Sequence, residues 1–281
     1  MNPTFSPLRY PGGKSQFYDS LLRILDANEL FNITYCEPFA GGAGVAIRLL
    51  LEGRASRIII NDADRAVYSF WYETVFDTDW FVAQIMSLPI NMETWHQLRE
   101  TLRNPNSSQR ELGLATLFLN RTNRSGILKA GPIGGMKQEG AYKLDCRFNR
   151  DVIVQKIRKI SMFRNRIVLE NLDAEALIRK HAKDDEVFWF IDPPYYKKGS
   201  DLYQNYYTHD SHVSLARTID SLLAESKWIL TYDNCPEILD IYSGRHYLIY
   251  GINYSAQVKR IEKELLFWNR LFINDRMVCT S

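Results

Sequence analysis

The run Phe190-Ile191-Asp192-Pro193-Pro194-Tyr195 puts a carboxylate, two residues without backbone N–H groups and an aromatic ring at the end of an apolar stretch. Two prolines fix the backbone and remove its donors, so carbonyl oxygens can face a ligand without competing amides. Acceptors without donors suit an amine. The exocyclic nitrogen of adenine is a poor nucleophile because its lone pair is delocalised into the ring. The Asp192 carboxylate and the Pro193 carbonyl could accept its two hydrogens and favour a pyramidal nitrogen able to attack a methyl group. Tyr195 would then stack on the base, which must leave the duplex to be reached. Alone, the same residues could be no more than a rigid strand exit, so their company decides.

Two further segments carry chemistry. Glu37-Pro38-Phe39-Ala40-Gly41-Gly42-Ala43-Gly44 reads as a strand end running into a glycine turn, where a backbone without Cβ atoms can approach a ligand closely. The third glycine of a dinucleotide fingerprint is absent, since Ile47 stands there, which disfavours a nicotinamide cofactor. Asp62, closing the next strand, is placed to accept hydrogen bonds from both ribose hydroxyls of an adenosine-containing cofactor. Near the N-terminus, Gly13-Lys14-Ser15 resembles the end of a phosphate-binding loop, but Leu8 replaces the required earlier glycine and weakens an ATPase reading. Lys14 could instead meet a cofactor carboxylate, with Tyr10 packed against it.

The elements that must position these residues alternate. Short apolar strands are expected at Ile33 to Cys36, Arg57 to Ile60, Ile167 to Leu169, Val187 to Ile191 and Trp228 to Thr231. Helices are expected from about Val45 to Glu52 and from near Asp173. This rhythm predicts an α/β fold with a doubly wound, mainly parallel sheet. His246 to Ile252 and Glu264 to Trp268 could add an edge hairpin. Residues 71–165 break the rhythm with helices around Trp80 to Met86 and Met92 to Leu102. A glycine-rich basic stretch follows, and Tyr142 to Phe148 loosely alternates as a hairpin arm would. The expected organisation is a catalytic domain of residues 1–70 and 166–281 interrupted by an inserted, mostly helical lobe.

Charge supports that division. From Asn120 to Arg166 there are 12 basic and 3 acidic residues, leaving 23 basic and 30 acidic elsewhere in a chain of net charge +2. A basic segment within an acidic chain is what a phosphate-binding lobe on an unrelated core would look like, although a solvated helix face would also serve. Cys36, Cys146, Cys235 and Cys279 are scattered, which suggests neither a disulfide framework nor a zinc site. The histidines suggest no metal cluster, and His209 and His212 are expected on an amphipathic surface helix. No apolar run approaches the roughly 18 residues of a membrane span, and the start lacks a signal-peptide core, so a cytoplasmic protein is expected.

Taken together, these segments closely resemble the alpha-class DNA adenine N6-methyltransferases, the class that includes the bacterial Dam enzymes. Gly-Gly-Lys, the Glu-Pro-Phe glycine turn, the acidic residue after the second strand, the insertion and Asp-Pro-Pro-Tyr occur in the family's order. The resemblance implies a Rossmann-like methyltransferase sheet. It also implies an S-adenosyl-L-methionine site formed by Tyr10, Lys14, Glu37, Phe39, Gly41, Asp62, Asp173 and Asp192, and a catalytic motif of Asp192, Pro193, Pro194 and Tyr195. Asn120, Arg121, Thr122 and Asn123 look like the family's DNA-contacting Asn-Arg-Thr segment, although the family often has an aromatic residue where Asn123 stands. Lys137, Arg147 and Asn149 belong to the basic arm that would read or hold double-stranded DNA. No metal is implied, and a cognate restriction endonuclease is a partner this class can have. Carbon-5 cytosine methylation lacks its cysteine nucleophile near Pro193. Cytosine N4 methylation shares the amine chemistry, an RNA or protein amide substrate fits the basic insertion less well, and a noncatalytic DNA-binding module would need no Asp192.

Overall fold

The computed structural model describes residues 5–9, 14–197, 207–254 and 260–278. Its strands are β1 (Ile33–Glu37), β2 (Ala55–Asn61), β3 (Ile167–Glu170), β4 (Val187–Ile191), β5 (Lys227–Asp233), β6 (Tyr247–Tyr254) and β7 (Arg260–Asn269). They form one sheet in the order β3-β2-β1-β4-β5-β7-β6. The first five are parallel, with Glu37 beside Ile60 and Cys36 beside Trp189. β7 enters antiparallel between β5 and β6, so the expected hairpin closes the sheet with β6 at its edge.

All five residues of β4, Val187-Phe188-Trp189-Phe190-Ile191, are buried, because helices cover both faces of a parallel sheet. Successive side chains point to opposite faces. Phe188 and Phe190 join Tyr35, Ile58 and Ile60 on one side, while Trp189 and Ile191 join Cys36, Ile59 and Leu230 on the other.

The crossover from β2 to β3 carries the helices that interrupt the strand-helix rhythm. It runs through α1 (Arg65–Phe76), α2 (Thr78–Ser87), α3 (Met92–Arg103), α4 (Gln109–Thr122) and α5 (Arg150–Ser161). Four of the five starts are capped, by Asp64, Asn91, Asn149 and a reciprocal Ser108–Glu111 box, each supplying acceptors to exposed N–H groups of a first turn. Phe70, Trp71, Phe81, Trp95, Phe118 and Ile157 pack into the same cluster as Tyr35 and Phe188, so these helices share one core with the sheet.

Two expectations need correction. The Tyr142 to Phe148 arm is a succession of turns rather than a hairpin, and among the described residues the one bridge outside the named strands pairs Asn123 with Pro132. Gly134 and Gly135 take positive φ, and the Gln138 side chain bonds Ile133 O, Gly135 O and Leu144 N, satisfying locally the groups a strand pair would have used. His212, on the helix His209–Leu222, is buried against Tyr232, with its Nδ1 2.8 Å from the phenol oxygen. Burial pushes its imidazolium down to about 4, so it sits there neutral.

Candidate active site

β1 and β4 are neighbours, and from them the chain winds outward in opposite directions. Ligands of open α/β sheets bind in the crevice at the carboxyl ends of such a strand pair. Glu37 ends β1, Asp62 follows β2 and Asp192 follows β4, so topology gathers three carboxylates at one edge.

The glycine turn after β1 is held on several sides. Gly41 and Ala43 take positive φ. Gly41 N donates to Asp62 Oδ2 at 2.9 Å, Trp71 Nε1 donates to Gly41 O at 2.8 Å, and Ala40 N donates to Asn61 O. Asn61 also donates to Pro38 O and Leu172 O and accepts from Leu172 N, lacing together the loops after β1, β2 and β3. A Cβ on Gly44 would stand 2.7 Å from Ser15 Oγ, so that glycine lets the Lys14 segment lie against the start of the helix Gly44–Leu51.

Burial raises the carboxyl of Glu37 to about 8, against hydrogen bonds to its Oε1 from Tyr35 and Ala46. Burial, with Asp64 nearby, raises Asp62 to about 7. Phe39 meets Tyr207 edge-on at 5.6 Å, and Asp173 caps the helix Ala174–His181 through Glu175 N while acting electrostatically on Tyr207. Tyr10 lies outside the described residues.

Asp192 is the centre of the second half of the site. Its Oδ1 accepts from Thr231 Oγ1 at 2.6 Å and pairs with Lys14 Nζ at 2.8 Å. Both contacts fall on one oxygen. Oδ2 takes no bond from the described residues, and the side chain is 21% exposed. Burial raises the Asp192 carboxyl, while Lys14 opposes that and Glu264 adds to it. Pro193, Pro194 and Tyr195 are buried. Tyr195 donates its hydroxyl to Glu264 Oε1 at 2.5 Å and accepts from Lys14 at 3.1 Å. Tyr195 is 4% exposed, so in this arrangement little of its ring is open to a base.

The residues expected at DNA divide in two. Asn120, Thr122 and Asn123 are buried, and their side chains bond inward. Asn120 accepts from Arg9 N and donates to Arg9 O and Gly126 O, Thr122 donates to Phe118 O, and Asn123 accepts from Trp95 Nε1 at 2.7 Å and donates to Ile127 O and Leu128 O. Gly126 is needed in this loop, since its φ is +76° and a Cβ would lie 2.2 Å from Arg9 O. Arg121 is half-buried, whereas Lys137, Arg147 and Asn149 are exposed, and Asn149 caps α5. Burial, then Arg9 and Arg147, lower Arg121 to about 10. Among the described residues none of these three arginines has a carboxylate within ion-pair distance, and the buried Nε of Arg121 has no hydrogen-bond partner.

Sequence reasoning missed Thr231, Glu264, Tyr207 and Arg9. The first three come from elements distant in sequence. Arg9 could have been found by its place five residues before Lys14.

The strand order, with its antiparallel β7 and a crevice lined by carboxylates at the strand ends, defines a Rossmann-like methyltransferase fold. Residues 10–258 match the model of the D12 class N6 adenine-specific DNA methyltransferases, and the chain belongs to that family. It is an adenine-specific DNA methyltransferase. Among solved structures, the rRNA methyltransferase aviRa from Streptomyces viridochromogenes is 11% identical over 92% of this chain and 86% of that chain, with a TM-score of 0.42. No match was found among curated proteins.

Proposed function

We propose that this protein moves the methyl group of S-adenosyl-L-methionine to the exocyclic amine of an adenine rotated out of duplex DNA at a specific sequence. The observation that carries this reading is the unbonded Oδ2 of Asp192, anchored through Oδ1 and partly exposed. It is an acceptor held in place with nothing from the described residues upon it. Asp192 Oδ2 and the Pro193 carbonyl take the two amine hydrogens, which localises the nitrogen lone pair. The amine must lose a proton on becoming methylated, and the raised Asp192 carboxyl is a suitable first acceptor.

The donor set fits S-adenosylmethionine. That molecule supplies, when bound, a methyl group on a positively charged sulfur. Asp62 would accept from its ribose hydroxyls, Glu37 and Asp192 would face its cationic groups, Lys14 its carboxylate, and Phe39 with Tyr207 and Asp173 would border its adenine. The glycine turn at Gly41 would allow close approach. In the part of the chain from 71 to 165, Arg121, Arg147 and Lys137 would meet phosphates or base edges, Asn149 would lie beside them, and Asn120, Thr122 and Asn123 would hold the helix end that presents Arg121 and the loop after it. Residues 1–70 and 166–281 would form the catalytic domain. No helix among the described residues is long and apolar enough to cross a membrane. A cytoplasmic location and a cognate restriction endonuclease partner fit this reading.

The test is to incubate the protein with isotope-labelled S-adenosylmethionine and unmethylated DNA, digest to nucleosides and identify the labelled one. Label on N6-methyldeoxyadenosine is expected. Label on N4-methyldeoxycytidine would keep the chemistry and overturn the choice of base, and cofactor binding with no label across DNAs of random sequence would overturn the reaction.

A further inference from the structure

Glu264 lies on β7, outside every segment that suggested chemistry, and is 2% exposed. Its Oε1 accepts from Tyr195, and its Oε2 accepts from Tyr250 at 2.5 Å and lies 3.4 Å from Lys14 Nζ. Lys14 therefore stands between two carboxylates, closer to Asp192 at 2.8 Å. The neighbouring strand repeats the theme. Asp233, paired with Glu264 across β5 and β7, accepts from the backbone N–H groups of Tyr196 and Lys197. Side chains from β5 and β7 thus fix the catalytic tetrapeptide at Asp192 and Tyr195 and the two residues that follow it.

We propose that Glu264 is a positioning residue for methyl transfer: it gives Lys14 a second carboxylate, so the ammonium can draw back from Asp192 without leaving the site. A buried ammonium with one carboxylate partner is held firmly, because separating the pair leaves an uncompensated charge. With two partners it can shift from one to the other at little cost. Asp192 then faces the amine as a stronger acceptor, and Lys14 remains available to an anionic group of the cofactor. Glu264 also holds the Tyr195 phenol, fixing the far end of the tetrapeptide. This inference rests on the proposed reaction.

The experiment compares wild-type protein with Glu264→Gln and Glu264→Asp in the labelled-methyl assay, together with calorimetric titration of S-adenosylmethionine and thermal melting. Transfer by the wild type checks the reaction itself, independently of either variant. Glu264→Gln, nearly isosteric but uncharged, is expected to lower kcat by about tenfold or more and to weaken cofactor binding severalfold, with the KM for DNA within about twofold. Glu264→Asp, which keeps the charge, is expected to recover part of the kcat. An unchanged kcat and cofactor affinity in Glu264→Gln would overturn the proposal. So would a parallel loss of kcat, DNA affinity and melting temperature that Glu264→Asp fails to relieve, because that marks a merely structural residue.

Discussion

Two regions of this molecule concentrate opposite charge, and each sits close to one end of the segment from Arg9 to Lys14. At the sheet's crevice, Glu37, Asp62 and Asp192 stand at strand ends with carboxyls raised by burial, and Asp192 and Glu264 share the Lys14 ammonium. Where the N-terminal segment meets the crossover, Arg9, Arg121 and Arg147 gather without a carboxylate partner among the described residues, and Arg9 and Arg121 are lowered by burial and by their neighbours. Each region keeps like charges together at a cost in stability, which is the usual mark of a site prepared for a ligand of the other sign. The acidic region suits a cationic methyl donor and an amine, and the basic region suits phosphate. The two differ in construction. Glu37, Asp62 and Asp192 stand at the ends of rigid strands, whereas the arginines come from three separate segments: the N-terminal stretch, the last turn of the helix Gln109–Thr122 and the turns before the helix Arg150–Ser161.

Removing the shared cation should break this comparison most severely. Lys14→Met would leave Asp192 and Glu264 facing each other without compensation, with an expected loss of about 3–5 kcal/mol in chemical denaturation and of nearly all methyl transfer. A smaller effect is expected in the basic region. Arg121→Ala should weaken duplex binding by about tenfold and reduce the salt slope of log K by about one, with kcat at saturating DNA largely kept. A fall in kcat alone would mean that Arg121 belongs to the chemistry instead.

The mildest effect is on pH. Glu37 and Asp62 hold their protons more tightly folded than unfolded, since their carboxyls stand at about 8 and about 7 against ordinary values of 4.5 and 3.8. Their contribution to stability is fully present below the unfolded values and is lost as pH rises through about 7 for Asp62 and about 8 for Glu37. The ligand-free protein should therefore melt at lower temperature at about pH 9 than at about pH 6, and Glu37→Gln should flatten that difference. Under the proposed binding mode, cofactor hydroxyls bonded to Asp62 would favour its ionised form, so calorimetry in buffers of different ionisation enthalpy should show protons released on binding near neutral pH.

Much of the acidic region was legible because the residues that end parallel strands are fixed by the strand itself. Once Val187 to Ile191 is a buried strand, Asp192 must stand at the crevice, and the same holds for Glu37 after β1. Glu264 was not legible. Its neighbours arise from the antiparallel insertion of β7 between β5 and β6, which no local pattern encodes. In the crossover, two of the five helices, around Trp80 to Met86 and Met92 to Leu102, followed from periodicity, but side-chain direction did not. Asn120 and Asn123 have the composition of DNA contacts, yet buried backbone groups of Arg9, Gly126, Ile127 and Leu128 also need partners, and the two amides supply them. Gly126 was the available signal, because a residue wedged against Arg9 O implies a loop closed on the N-terminal segment.

The most direct test of this division of labour is Asp192→Ala, measured for methyl transfer in a single turnover and for affinity toward duplex DNA by titration. The account predicts that transfer falls by at least about a thousandfold while DNA affinity stays within about threefold. An equal loss of both would contradict it, showing that Asp192 maintains the structure of the site rather than accepting the hydrogens of the amine.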